Sequence, residues 1–137
     1  MGKNFMAEIQ AKLNFLRMAP RKLRLVADLI RNKEAVKARE ILSLLNKKAA
    51  KPLLKLLNSA VANAKHGHDL AVGDLRIAKL TVDGGPVLKR WMPRARGRAT
   101  MIRERISHVN LTLVSRPEIK AKEEAGKGEE EVKIKRN

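Results

Sequence analysis

Residues 84–103 constrain the fold of this chain most. They include no acidic residue, and they hold the only Trp and two of the five prolines. The cations of this segment are Lys89, Arg90, Arg94, Arg96, Arg98 and Arg103. Both flanking segments alternate between apolar and polar residues, as strands do. We therefore predict a projecting β-hairpin at about 84–103, on which the cations can follow the phosphates of a nucleic acid.

Glycine and proline residues indicate how this hairpin is shaped. Gly permits β-bulges, and Pro is confined to edges or bends. Residues 83–86 in one arm and residues 96–98 in the other are therefore predicted to bulge or bend the backbone. The tip is then expected near residues 89–94, which exposes Trp91 and Met92. An exposed apolar pair favours insertion of the tip into a partner. The alternative is a charged, solvated edge strand, but edge protection needs only one or two charges.

The net charge points to a polyanionic partner. The chain has 31 Lys and Arg against 14 Asp and Glu, a formal net charge of +17, and such a surface attracts RNA or DNA through counterion release. All of the excess lies before Pro117, so we expect one domain at 1–116 and a flexible charged tail at 117–137. Tyr is absent, and this shortage of aromatic platforms favours recognition of backbone and shape over base reading.

Other classes of function find little support in the sequence. There is no Cys, no nucleophile elbow and no phosphate-binding glycine loop, so we expect neither an enzyme nor a cofactor. His66, His68 and Asp69 lack a fourth ligand, so no metal site is predicted. No run approaches the roughly 20 apolar residues of a membrane span, and no signal peptide is evident, so the chain is expected in the cytoplasm.

Six segments have the periodicity of regular secondary structure. Alternation predicts a first strand with Ile9, Ala11, Leu13 and Phe15 on one face. It also predicts a strand at 75–83 that buries Ala78, Leu80 and Val82, and a strand at 100–115 that buries Val109, Leu111 and Leu113. Helical spacing predicts helices at 21–31, 34–45 and 48–65. Each predicted strand and helix is apolar on one side only. We therefore predict an α+β fold with three helices packed on one face of the sheet.

The third helix is unusual in the small side chains of residues 59–64. Small residues let another backbone approach closely, which favours tight helix packing. Direct RNA contact by Asn58, Ser59 or Asn63 stays open as the alternative.

Five segments together resemble one family. They are Ala19-Pro20-Arg21-Lys22, LRLVADLIRNK from residue 23, NSAVANA from residue 58, VDGGPVLKRWMPRARGRA from residue 82 and SHVNLTLV from residue 107. In this order, over about residues 5–116, they resemble the bacterial large-subunit ribosomal protein twenty-two family. One departure is Asn32, which replaces the usual Gly after the first helix.

The resemblance implies a three-stranded antiparallel sheet, three helices and a long extended β-hairpin. It implies binding to 23S-type rRNA, support of early subunit assembly, neighbouring ribosomal proteins as partners, no homo-oligomer, and a hairpin that lines the peptide exit tunnel. With Arg103 added from the acid-free segment, the expected rRNA-binding residues are Arg21, Lys22, Arg24, Lys89, Arg90, Arg94, Arg96, Gly97, Arg98 and Arg103. The expected tunnel-lining tip, beside the nascent peptide, is Leu88, Lys89, Arg90, Trp91, Met92 and Pro93.

The alternative from another class is a stand-alone architectural or regulatory nucleic-acid-binding protein. Such a protein would lay a β-ribbon in a groove of duplex DNA. It would bind free duplex DNA well and would not co-sediment with ribosomes.

Overall fold

The computed structural model of the protein describes residues 7–115. Its strands are β1 (Glu8–Leu16), β2 (Leu75–Pro93) and β3 (Ala99–Ser115), and its helices are α1 (Pro20–Ile30), α2 (Ala35–Leu44) and α3 (Ala50–His68). Short 3-10 helices at Val72–Asp74 and Ala95–Gly97 precede β2 and connect it to β3. The described residues confirm the predicted α+β class. The predicted tail at 117–137 lies outside them.

The three strands form one antiparallel sheet in the order β1-β3-β2, so β3 is central and β1 and β2 are edges. Pairing of β2 with β3 begins at Leu75 opposite Ser115 and continues to Pro93 opposite Ala99. The hairpin is therefore a continuation of two core strands, as predicted, and the sheet itself fixes its direction.

The core lies between the helices and one face of the sheet. On β3, Val109, Leu111 and Leu113 are buried, which confirms the alternation predicted for this strand. From the helices, the fully buried large side chains are Leu23, Ile30, Leu53 and Leu57. Burial of these branched apolar side chains is the main source of stability for a domain of this size. No helix within residues 7–115 is long and apolar enough to cross a membrane.

Two bulges change which side chains face the core. The register of β2 shifts between Ile77 and Lys79, so Ala78, predicted to be buried, is exposed. In β1 the register shifts between Leu13 and Leu16. There Phe15 has a φ of 56° and is 66% exposed. Its predicted burial was wrong because a bulge reverses the alternation of every residue that follows it.

The helix boundaries follow from local backbone preferences. Pro20 begins α1, where its missing N–H costs nothing. After α1, Asn32 has a φ of 62°, and Asn is one of the few residues that adopt this left-handed conformation readily. The third helix extends to His68 and is capped by Asp69 at a φ of 51°, so the break predicted at residues 66–69 begins later.

The small residues of α3 serve packing. Ala60 and Ala64 are fully buried, and Val61 is 7% exposed. Because these side chains are short, α3 can lie close to the rest of the core. Asn58, Ser59 and Asn63 are exposed, and their contact with RNA stays a prediction.

Candidate nucleic-acid interface

Beyond the pair Gly84 and Ser107, strands β2 and β3 continue as a two-stranded ribbon. The paired residues from Val87 to Pro93 carry it about 20 Å outward at the usual rise of about 3.3 Å per residue. Every residue from 89 to 100 is exposed. The ribbon therefore presents side chains of both faces to a partner.

The ribbon turns at residues 94–98, further along the chain than predicted. The N–H of Arg94 donates to the carbonyl oxygen of Arg98 at 2.6 Å, and Arg96 and Gly97 have φ angles of 61° and 69°. Glycine adopts such angles without strain, so Gly97 was the available signal for the turn. The predictions of a tip at 89–94 and of an arm bulge at 96–98 were both wrong.

This register moves most of the predicted tip onto an arm. Leu88 lies opposite Glu104, Lys89 opposite Arg103, and Pro93 opposite Ala99 at the end of the paired region. The residues 88–93 thus belong to β2 and lead up to the turn.

The glycines at the root of the ribbon do form the predicted bulge. Register shifts between Gly84 and Val87. A Cβ on Gly85 would lie 2.9 Å from Nε2 of His108, closer than side chains tolerate, and 3.2 Å from the carbonyl oxygen of Ile106, which is a tight contact. His108 is itself held in place, because its Nδ1 accepts the N–H of Phe15 at 3.1 Å and its ring meets the Phe15 ring edge to face at 4.8 Å.

The cations of the ribbon are not neutralised within the fold. Lys89 and Arg103 are directly opposite each other, a like-charge arrangement that destabilises a free sheet. In residues 7–115 the salt bridges join Arg31 to Asp28 and Lys37 to Glu34, and the ribbon takes part in neither. A phosphate between facing cations would remove the repulsion and gain charge-assisted hydrogen bonds.

At α1 the predicted RNA-binding cations divide into two kinds. Arg21 and Lys22 are exposed in the first turn of the helix. Arg24 instead donates from Nε and Nη2 to the carbonyl oxygen of Val82, at 3.3 and 3.1 Å. Arg31 does the same to the carbonyl oxygen of Leu80, at 3.3 and 3.0 Å. Arg24 in α1 and Arg31 directly after it join the helix to the edge strand β2, a structural role that the sequence prediction missed.

Comparison with known protein families identifies the family of this fold. Residues 11–114 match ribosomal protein L22p/L17e. The chain belongs to the ribosomal protein L22p/L17e family. As a member it is a non-enzymatic protein of the large ribosomal subunit that binds 23S rRNA and lines the exit tunnel, and it resides with the ribosome in the cytoplasm. The predicted family and function are thereby confirmed.

For a member of the L22p/L17e family, the predicted contact residues fall in three places. The exposed start of α1 holds Arg21 and Lys22, the arms hold Lys89, Arg90 and Arg103, and the turn holds Arg94, Arg96, Gly97 and Arg98. The structure separates Arg24 from these groups, since two of its N–H groups are used inside the fold. His66 and His68, for which no metal site was predicted, are exposed in the last turn of α3, and residues 7–115 contain no cluster of side chains suited to a metal ion.

Proposed function

We propose that the arms of the ribbon and the start of α1 hold rRNA phosphates, while the far end of the ribbon forms tunnel wall beside the nascent peptide. The arm residues are Lys89, Arg90 and Arg103, with Arg21 and Lys22 on α1. The wall consists of Trp91, Met92 and Pro93 on β2 together with the turn at 94–98, whose Arg94, Arg96 and Arg98 are proposed to contact rRNA as well. Leu88 lies on the root side of Lys89 and therefore belongs to an arm. Along β2 the facing cations of the arms are followed by the exposed apolar side chains of Trp91 and Met92, a change in chemistry that favours a different contact for the end.

The pairing of Lys89 with Arg103 carries this proposal. Two cations that face each other directly, and that take part in neither of the salt bridges seen in residues 7–115, are retained at a cost in the free protein, and rRNA supplies the missing negative charge. Trp91 is 65% exposed and Met92 is 46% exposed, so a partner surface is expected to cover them as well. These requirements fit a ribbon whose arms are enclosed by RNA and whose end meets a further surface.

A role in early subunit assembly follows from the same geometry. The core is built around its own apolar residues, and β2 and β3 extend from it as one paired unit. The protein can therefore fold before it meets rRNA and can then join separate RNA segments through α1 and the ribbon. Neighbouring ribosomal proteins are proposed to pack on the surfaces that RNA leaves free, and self-association is not part of this function.

The test uses binding of the full chain to 23S rRNA as a function of salt concentration. Lys89→Gln with Arg103→Gln should weaken binding and lower the slope of log K against log salt by about 1.4 to 1.8, since each lost phosphate contact contributes about 0.7 to 0.9. A matched control is Lys65→Gln with Lys55→Gln, which alters exposed cations of α3. An unchanged slope for the ribbon variant would contradict phosphate binding by the arms.

A further inference from the structure

A groove at the root of the ribbon is lined by apolar side chains that the proposed phosphate contacts do not use. Its volume is about 640 Å³, and it lies between α1, the segments that join β1 to α1 and α2 to α3, and the ribbon. Apolar side chains that line it include Leu25, Leu29, Leu45, Leu88 and Ile106. Ligand sites in proteins have volumes of about 300–1,000 Å³ and are mostly apolar with a few charged groups.

Two leucines of α1 make this groove apolar on the outside of the core. The core face of α1 consists of Leu23, Val26, Ala27 and Ile30. Leu25 and Leu29 are four residues apart, so they share another face of the helix, and they are 69% and 46% exposed. The burial of α1 against the sheet therefore leaves these side chains available for a partner.

The charges around the groove identify that partner. Its lining includes the cations Arg17, Lys22, Lys47, Lys48 and Arg105, against the single acid Glu104. An apolar floor enclosed by cations complements a ligand with a flat, weakly polar body and anionic groups on both sides. A nucleotide in a single-stranded RNA segment has this chemistry, because its base lies between two phosphates.

We propose that this groove receives one unpaired nucleotide of RNA, with its base against Leu25 and Leu29 and its flanking phosphates at Lys47, Lys48 and the other cations. The inference rests on the proposed function, since it assigns a specific RNA element to the same interface. A base inside a duplex cannot enter, because its faces are covered by its neighbours. The lining offers aliphatic contact and charged donors, so the site is expected to select an unpaired base without strong preference among the four bases.

The experiment measures binding of the full chain to a single-stranded oligoribonucleotide of mixed sequence that contains 4-thiouridine, and to a fully paired RNA hairpin of equal length. L25A/L29A should weaken binding of the single strand about tenfold, because the base loses buried aliphatic contact surface. The salt slope should stay unchanged, because no phosphate contact is lost. L44A is the matched control, since Leu44 is 85% exposed, ends α2 and does not line the groove.

Further readouts separate the groove from the rest of the interface. Lys47→Gln with Lys48→Gln should lower the single-strand salt slope by about 1.4, and crosslinks from 4-thiouridine should map to Leu25, Leu29 or Ile106. If L25A/L29A binds the single strand as wild type does, or loses equal affinity for the paired hairpin, the groove assignment is wrong. That result leaves the proposed function intact as long as the Lys89→Gln and Arg103→Gln variant still shows its reduced slope on 23S rRNA. Loss of both effects would overturn both.

Discussion

Arg24 donates two hydrogen bonds to one carbonyl oxygen, that of Val82, across the gap between α1 and the edge strand β2. An edge strand has backbone groups without strand partners. Arg24 satisfies one of these carbonyl groups and Arg31, two turns later, satisfies that of Leu80. The helix is thus attached to β2 close to the point where the ribbon leaves the core, and the attachment helps to hold the ribbon in its direction.

Arg24→Ala should therefore destabilise the free protein, which an RNA contact alone would not do. Hydrogen bonds from a charged donor contribute about 1.5–3 kcal/mol, and the exposure of this side chain reduces the expected loss to about 1 kcal/mol. Urea unfolding followed by circular dichroism measures the change. Arg21→Ala is the control, because both arginines are exposed on the same helix but the hydrogen bonds to the carbonyl oxygen of Val82 come from Arg24. Equal unfolding midpoints for the two variants would contradict the attachment.

Gly85→Ala should destabilise the root of the ribbon by about 1–3 kcal/mol through overpacking. The new methyl group would meet His108 at 2.9 Å, and rotation of that ring would break its hydrogen bond with the N–H of Phe15. Gly84→Ala is the control, since the nearest atom to its Cβ is 3.9 Å away. Adding His108→Ala to Gly85→Ala should recover part of the loss, and a thermal unfolding series tests all four proteins. Equal stability of the two glycine variants would refute the close approach.

Much of this fold was predictable from the sequence, because the periodicity of β3 and α1 reports directly on burial. The bulges at Ala78 and Phe15 were not predictable. Each inserts one residue and reverses the alternation, and no residue type nearby marks its position. The ribbon's turn was misplaced for a different reason. The apolar pair Trp91 and Met92 was interpreted as a tip, although the left-handed backbone required by a short turn is found at Gly97. The role of Arg24 depends on which strand lies beside α1, and this is a tertiary property.

Ser107→Ala should cost about 1–3 kcal/mol, because it leaves a buried carbonyl group without its partner. Ser107 is fully buried, and its hydroxyl donates to the carbonyl oxygen of Met18 at 2.5 Å, which fixes the chain between β1 and α1. Ser43→Ala removes an exposed hydroxyl that donates to the carbonyl oxygen of Glu40 and should change stability little. Chemical denaturation of both variants compares the two sites, and similar free energies of unfolding would argue against the role of Ser107.

Trp91→Ala should leave the stability of the free protein within about 0.5 kcal/mol of wild type, as is usual for exposed positions. Leu23→Ala, at a fully buried position, should cost about 2–5 kcal/mol.

Trp91 is the only Trp and is 65% exposed, so it also serves as a fluorescent probe. Acrylamide should quench its fluorescence readily in the free protein, and bound rRNA should protect it from the quencher. Quenching that is already weak in the free protein would mean that the side chain is packed.

The ribbon is proposed to end beside the nascent peptide while its arms lie in RNA. The most direct measurement places a photoreactive amino acid at position 96 in the turn, or at position 103 on the arm, in ribosomes that hold a stalled nascent chain. We expect crosslinks from position 96 to the peptide and from position 103 to rRNA. Crosslinks from position 96 to rRNA alone, with none to the peptide, would contradict it.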